Sequence, residues 1–256
     1  MRDIILNADD CGYDARVNQA IFELLGLGLI SSTTLLANGL AIEEALARVG
    51  DFPGASFGVH LNITQFTPLS GHPGLAPLLN EGGAFAQDPR RITMDAGLRA
   101  AILAEWSAQI ERVRQAGVAI SHLDSHHHLH TVPALFGVLK TLQDRFGILR
   151  VRNTRNLYAA PQVLPDWRLR LKKGLWSQAL RRWPPLTLTT DFFTDLTTFV
   201  ILDRAGCLTP RGSFELMVHP GSVNSTYETR LLQDSHPLDR EGGIPHRLIS
   251  YHQLGR

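Results

Sequence analysis

Short apolar runs recur along the first half of this chain, each followed by a polar turn and a segment of helical period, and this alternation constrains the fold more than any other feature. Ile4 to Ala8 is a strand candidate, and Val17, Ile21, Leu24, Leu25 and Leu29 mark the helix after it. Thr33 to Ala37, Ile42 to Val49 and Ala55 to Ile63 read as strand, helix and strand, the last alternating through Phe57, Val59, Leu61 and Ile63. Beyond a Pro/Gly-rich loop from Thr64 to Arg91, the segment Asp95 to Gln115 places Leu98, Ile102, Trp106, Ile110 and Val113 on one helical face. Val118 to Leu123, Val132 to Phe146 and Ile148 to Arg152 continue as strand, helix and strand. Such βα alternation, at about thirty residues per unit, predicts an α/β fold with a parallel sheet, for which a barrel is the natural closure.

The second half is less regular. Asn153 to Asp191 mixes prolines, tryptophans and bases, with Arg168, Arg170, Lys172, Lys173, Arg181 and Arg182 set around Leu169, Leu171, Leu175, Trp176 and Leu180 as on an amphipathic helix. A solvated basic face is the expected meaning of that stripe. Phe214 to Val218 and Leu248 to Tyr251 are further strand candidates. No repeat, low-complexity stretch or linker divides the chain, so residues 1–256 are expected to form one domain, and 44% hydrophobic content supplies its core. A net charge of +1 gives no bulk field for nucleic acid or an anionic membrane, so neither is an expected partner. No segment approaches the roughly 18 uninterrupted apolar residues of a membrane span, the N-terminus does not read as an export signal, and only Cys11 and Cys207 are present, so a reducing cytoplasm is expected.

The segment Ser121 to Pro133 holds five of the eleven histidines and an aspartate where an apolar run ends, which points to a metal site; the alternative is a polar loop whose histidines adjoin by chance. Asp9 and Asp10, His60, His126 and His219 all stand at or just beyond the ends of strand candidates. In a parallel barrel those ends share one face, where loops converge on a common opening. Each residue alone has a plainer reading: a helix N-cap for either aspartate, a hydrogen-bonded turn for His60 or His219. Taken together, one of the paired carboxylates can bind an ion while the other accepts a proton from an attacking water. Asp10, His60 and His126 would form an open three-ligand site, as catalysis requires. An extended continuation would align Asp124, His126 and His128, whereas a helical one would make His126 and His130 neighbours. His128 is a candidate substrate or supporting group, His127 a structural residue, and His122 a satisfied strand histidine. His219 could protonate a departing amine. Asn38 and Arg152 could contact a polar substrate, although Arg152 has an ion-paired alternative. Cys11 reads as a small packed hydrophobe.

The motifs N-A-D-D-C-G at Asn7 to Gly12, I-S-S-T-T-L-L-A-N-G at Ile30 to Gly39, G-V-H-L-N at Gly58 to Asn62, H-L-D-S-H-H-H-L-H at His122 to His130 and M-V-H-P-G at Met217 to Gly221 resemble the YdjC-like carbohydrate deacetylases. The resemblance implies an irregular (β/α) barrel and a divalent-metal hydrolase that removes acetyl groups from N-acetylated sugars such as chitooligosaccharides. It implies Asp10, His60 and His126 as metal ligands, Asp9 as general base and His219 as acid. Magnesium is the ion it implies; two imidazoles and a carboxylate suit zinc or another transition ion equally well. Cys11 stands where the family commonly has an aromatic residue, and Gln233 to Arg256 is shorter than the usual final helix and strand. The second departure predicts a barrel left partly open or completed by a partner chain, and with the apolar, basic middle segment it suggests a homodimer. A metal-dependent phosphoesterase or amidohydrolase, and a non-catalytic carbohydrate-binding barrel, are the competing readings.

Overall fold

The computed structural model of the chain describes residues 1–153, 155–158, 166–208, 211–222, 226–234 and 245–255. Its central strand, β1 (Arg2–Cys11), is buried on both faces, as expected of a strand covered by helices on one side and enclosed on the other. Strands β2 (Ser32–Leu35), β3 (Ser56–Leu61) and β4 (Leu123–Ser125) follow on one side of it, and β6 (Gly212–Val218) then β5 (Phe192–Asp195) on the other, every pairing parallel. A short strand, β7 (His246–Leu248), pairs with Arg2 to Ile4 of β1, while β2 pairs with Asn7 to Cys11. The edge of β1 is thus shared, β7 at its beginning and β2 at its end. Isolated parallel bridges, Leu123 with Val151 and Arg150 with Leu188, carry the curl of the sheet beyond β4. Among the described residues the result is a curled, seven-stranded parallel sheet of the half-barrel type.

Helices pack outside the curl. Helix α1 (Ala15–Gly26) begins where the Asp14 side chain accepts a hydrogen bond from the Val17 amide at 2.8 Å, and it buries Val17, Ile21, Leu24 and Leu25. Between β2 and β3 runs α2 (Ile42–Arg48). The long α3 (Ala96–Gln115) is capped in the same way by Asp95 and buries Leu98, Ile102, Trp106, Ile110 and Val113, the stripe read from the sequence. Helix α4 (Phe136–Phe146) ends at Gly147, whose φ of 69° suits a residue without Cβ. Then come α5 (Trp167–Arg182), α6 (Leu196–Arg204) and α7 (Thr226–Asp234). Lys140 of α4 ties α5 in place by donating to the carbonyls of Leu180 and Pro185 and to Thr187 Oγ1 at 2.7–2.9 Å.

Residue parity along β1 separates two environments. Ile4, Leu6 and Ala8 join the large cluster beneath the helices, whereas Ile5 packs with Ile249, Tyr251 and Leu254. Asn7 and Asp9 share that second face and are buried among polar neighbours, with Asn7 Oδ1 accepting from Ser32 Oγ at 2.6 Å. The interior of the curl is therefore polar toward the ends of the strands.

Two strand expectations shift. Val118 to Ser121 is not a strand, because β4 begins only at Leu123, although Ser121 and His122 still hydrogen-bond to β3 at 2.8 and 3.0 Å. Ile148 to Arg152 contributes single bridges in place of a ladder. Gly58 explains the close approach at β3: a Cβ there would lie 2.5 Å from His122 Cε1. On α5 the buried residues are Trp176, Ser177 and Leu180, while Leu169, Leu171 and Leu175 are exposed, so the expected apolar face is only partly the packed one. Of the C-terminal segment expected to bear on closure, residues 235–244 and 256 lie outside the described residues.

Candidate metal and catalytic centre

Asp10 departs from β1 with φ 69°, where the pairing with β2 changes register between Ala8 and Cys11. An aspartate tolerates this left-handed conformation better than a bulky residue does. The irregularity lets adjacent carboxylates serve the same end of the sheet. Asp10 Oδ1 lies 3.3 Å from His60 Nε2 and 2.9 Å from His126 Nδ1. The three ligand atoms lie within 4.8 Å of one another, yet Asp10 Oδ1 is buried with no aligned hydrogen bond, as is His126 Nε2. A buried carboxylate oxygen without an aligned partner, set between two imidazole nitrogens, needs an explanation, and a shared cation is one that fits this donor set.

The environment of His60 strengthens that fit. Its Nδ1 is 2.7 Å from Asp124 Oδ1 and 3.1 Å from Thr34 Oγ1, which fixes the ring and leaves Nε2 facing Asp10. A carboxylate behind a ligating imidazole is the usual device for holding tautomer and orientation. Burial lowers the His60 pKa, but Asp124, Asp10 and Asp9 together hold it well above the ordinary value. For Asp10, burial acts upward and the two histidines more than reverse it, so its carboxyl titrates well below the usual range. A second group, Asp9, His60 and Asp124, also lies close enough for an ion, but a guanidinium already occupies its centre.

That guanidinium is Arg152. It donates to Asp9 Oδ1 and Oδ2 at 2.6 and 2.7 Å, to Glu215 Oε1 at 2.7 Å, and stands 2.9 Å from Asp124 Oδ2. Tyr251 donates its hydroxyl to Glu215 Oε2 behind the pair. Burial raises the Asp9 pKa and Arg152 outweighs it, so Asp9 is held well below the usual carboxylate range. Asp9 Oδ1 accepts from Asn7 and Arg152, while Oδ2 accepts, among the described residues, from Arg152 alone, which leaves it a lone pair for a proton. Glu215 goes the other way: burial pushes it up to about 7.

His219, at the end of β6, is half-buried with Nδ1 3.8 Å from Glu228 Oε2. Burial lowers its pKa, but Glu228, Asp9 and Asp10 raise it above the ordinary value, which favours the protonated ring. After β4, a 3-10 turn from His126 to Thr131 contains two left-handed residues, His127 and His128, at φ 53° and 55°. Neither an extended nor a helical continuation describes it. His128 is turned into a cavity of about 950 Å³, whose wall includes Phe136, Asn153, Trp176 and Phe193. The Phe193 ring lies 5.0 Å beneath the Arg152 guanidinium, so this cavity adjoins the Asp9 pair. His127 is exposed and its carbonyl accepts from Arg90. His130 is buried with Nδ1 2.6 Å from Ser125 Oγ, and His122 with Nδ1 2.8 Å from Ser121 Oγ and its ring stacked on Tyr251. Cys11 is buried, its thiol pushed up to about 12 by desolvation.

Two residues expected to contact substrate are engaged within the protein in this geometry. Asn38 donates to the carbonyls of Gln65 and Thr67 and accepts from Asn62, so it organises the loop after β3. Arg152 has no exposed surface and points its donors at three carboxylates, the ion-paired alternative.

Residues 3–246 match the YdjC-like protein family. The chain belongs to that family. Among its relatives, a carbohydrate deacetylase of Geobacillus stearothermophilus is 40% identical over 162 residues, 63% of this chain and 62% of that protein. A chitooligosaccharide deacetylase of an Enterobacter species is 32% identical over 228 residues, covering 87% of this chain and 83% of the other. A carbohydrate deacetylase of Oceanobacillus iheyensis is 30% identical over 86% of this chain and 85% of its own length. The crystal structure of a proposed cellobiose-phosphate cleavage protein from Enterococcus faecalis aligns with a TM-score of 0.69 over 98% of both chains, at 22% identity, a likeness of fold alone.

Sequence reasoning gave Glu215 and Tyr251 no part in the site and considered Asp124 only as a member of a rival ligand set with His126 and His128, not as the support of His60. Asp124 had a signal, two residues before His126 on the same strand parity. Glu215 reads as one acid inside a strand, and only the register of β6 against β1 brings it to Arg152.

Proposed function

We propose that this chain is a metal-dependent carbohydrate N-deacetylase on an irregular (β/α) barrel. The observation that carries the reading is the convergence of Asp10 Oδ1, His60 Nε2 and His126 Nδ1 at one end of the sheet, with His60 oriented from behind by Asp124. The carbohydrate deacetylases among its relatives supply the substrate class.

A divalent ion bound by these three side chains would supply Lewis acidity toward an acetyl carbonyl and make an attacking water more acidic. Two imidazoles and one carboxylate accept zinc or another transition ion at least as readily as magnesium. Asp9 takes the proton of the attacking water at the free lone pair of Oδ2, while the Arg152 fork keeps the carboxylate ionised and aimed. His219, kept protonated by Glu228, Asp9 and Asp10, gives its proton to the sugar amine as the C–N bond breaks. Asp124 holds the His60 ring and takes no part in the proton transfers.

The experiment is incubation of metal-reconstituted protein with a panel of N-acetylated saccharides, monitoring free acetate. Acetate release that requires added metal supports the reading. Phosphate release from phosphorylated sugars, or saturable sugar binding with no acetate, would replace it.

A further inference from the structure

The last described segment of the chain enters the curl from the end opposite the candidate ion site. Strand β7 lies beside Arg2 to Ile4, where β1 begins, whereas Asp10 stands where it ends. Hydrogen bonds then carry the chain across the interior. The Ile249 amide donates to the Ile4 carbonyl at 2.8 Å, Ser31 Oγ to the Ile249 carbonyl at 2.7 Å, and the Tyr251 amide to Ser56 Oγ at 3.0 Å. Ser250 and Gln253 close the turn through a reciprocal capping box, with Ile249, Tyr251 and Leu254 packed on Ile5.

Tyr251 does more in that place than fill it. Its ring stacks on His122 with centroids 3.6 Å apart, and its hydroxyl donates to Glu215 Oε2. A phenylalanine would fill the same space, so the oxygen is the part that needs explaining: burying a hydroxyl with a carboxylate gains little over apolar packing of the same shape. Glu215 stands in register with Ile5, and its Oε1 accepts from Arg152 Nε at 2.7 Å. The guanidinium is thereby held at both ends, Nε by Glu215 and the two Nη groups by Asp9. A planar fork pinned at one end alone can swing; the Nε bond removes that freedom. Among the described residues Glu215 Oε2 accepts from Tyr251 alone and Arg152 Nε donates to Glu215 alone, so the phenol is the outer end of a chain of groups that terminates at Asp9. Burial and the adjacent Glu215 raise the Tyr251 pKa, so the hydroxyl keeps its proton and remains the donor.

We infer that Tyr251 is a positioning residue for the proposed base: its hydroxyl sets Glu215, Glu215 sets the Nε end of Arg152, and Arg152 presents Asp9 to the attacking water. The inference rests on the deacetylase reading for what Asp9 does, whereas the tie from Tyr251 to Arg152 rests on the hydrogen bonds alone. A turn joined to the beginning of β1 thus governs a proton acceptor near that strand's other end. With the hydroxyl gone, Glu215 Oε2 is a buried carboxylate oxygen without a partner among the described residues, and the hold on Arg152 Nε slackens. The stack on His122 and the groups Asp10, His60 and His126 stay as they are.

Tyr251→Phe keeps the ring and removes the oxygen, and Glu215→Gln alters the middle of the chain. Steady-state acetate release from N-acetylated saccharides should show kcat reduced by roughly tenfold in each, with KM and calorimetric metal affinity unchanged. Because both act through Arg152, the double variant should lose no more than the worse single one. A phenol that only filled space would leave kcat per folded molecule as it was. An unchanged kcat in Tyr251→Phe would therefore overturn the inference, as would losses that multiply in the double variant. A second readout needs no turnover: exchange of the Arg152 Nε proton with solvent, followed by NMR of the isotope-labelled protein, should speed up by roughly tenfold or more in Tyr251→Phe. Unchanged exchange overturns the inference. If the wild type releases no acetate, the deacetylase reading alone falls, and the exchange rate still decides whether Tyr251 holds Arg152.

Discussion

Arg152 grips Asp9 through two parallel hydrogen bonds, Nη2 to Oδ1 at 2.6 Å and Nη1 to Oδ2 at 2.7 Å, with both side chains almost wholly excluded from solvent. Such a fork does more than neutralise charge; it sets the plane of the carboxylate and the direction of its remaining lone pair. Arg152→Lys keeps the charge but not the fork. It should lower kcat by about 10- to 100-fold with a smaller change in KM, and destabilise the fold by about 3 kcal/mol or more, because three buried carboxylates lose hydrogen bonds. Steady-state kinetics and chemical denaturation would measure the two effects.

Asp9→Asn tests the proposed base apart from the proposed ion site. Turnover should fall by about 10²- to 10⁴-fold while metal affinity, measured by calorimetry, changes little. His126→Ala should lose both. Retained turnover in the Asp9 variant would remove that residue from proton transfer.

In the proposed reading Asp124 acts on the ion through His60. Asp124→Asn leaves the three ligands in the chain but weakens the hold on the His60 ring, so metal affinity should drop by about 10- to 100-fold. Activity should be restored by raising the metal concentration. A variant that binds metal normally and is nevertheless inactive would assign Asp124 a direct part in the reaction.

His219 should set the alkaline limb of the rate profile. Its folded pKa is raised, so the proton is present at low pH and is lost as pH rises through that value. Glu228→Gln removes one group that raises it and should move the limb toward lower pH. His219→Gln should abolish the limb.

Glu215 ties stability to pH in a defined direction. Its folded pKa of about 7 lies above the ordinary value of 4.5, so its contribution is fully present below 4.5 and declines as pH rises toward 7. The unfolded chain releases that proton first. Glu215→Gln should therefore flatten the dependence of unfolding free energy on pH across this window, followed by denaturation at a series of pH values. An unchanged slope would assign the dependence to other groups.

The sequence makes the frame of this molecule legible because strand and helix periods depend on neighbouring residues. The stripe of α3 and the alternation in β3 are local patterns, and the structure contains both. Asp10, His60 and His126 could be grouped because each stands at or just beyond the C-terminal end of a strand, and parallel strands deliver their ends to one side. The Arg152 network was hidden for the opposite reason. Glu215, Asp124 and Asp9 come from three strands, and their meeting depends on register across the sheet. Helix α5 misled because alternating leucines and bases look like a packed amphipathic helix, whereas its rotation buries Trp176 and Leu180 and leaves Leu171 and Leu175 outside.

Gly58 and His122 make one further consequence plain. The imidazole occupies space that the main chain of β3 leaves vacant, so neither position can be changed independently of the other. In any homologue where 122 carries a smaller group, alanine or serine should become acceptable at 58, and engineered exchange should succeed as a double replacement where either single one fails.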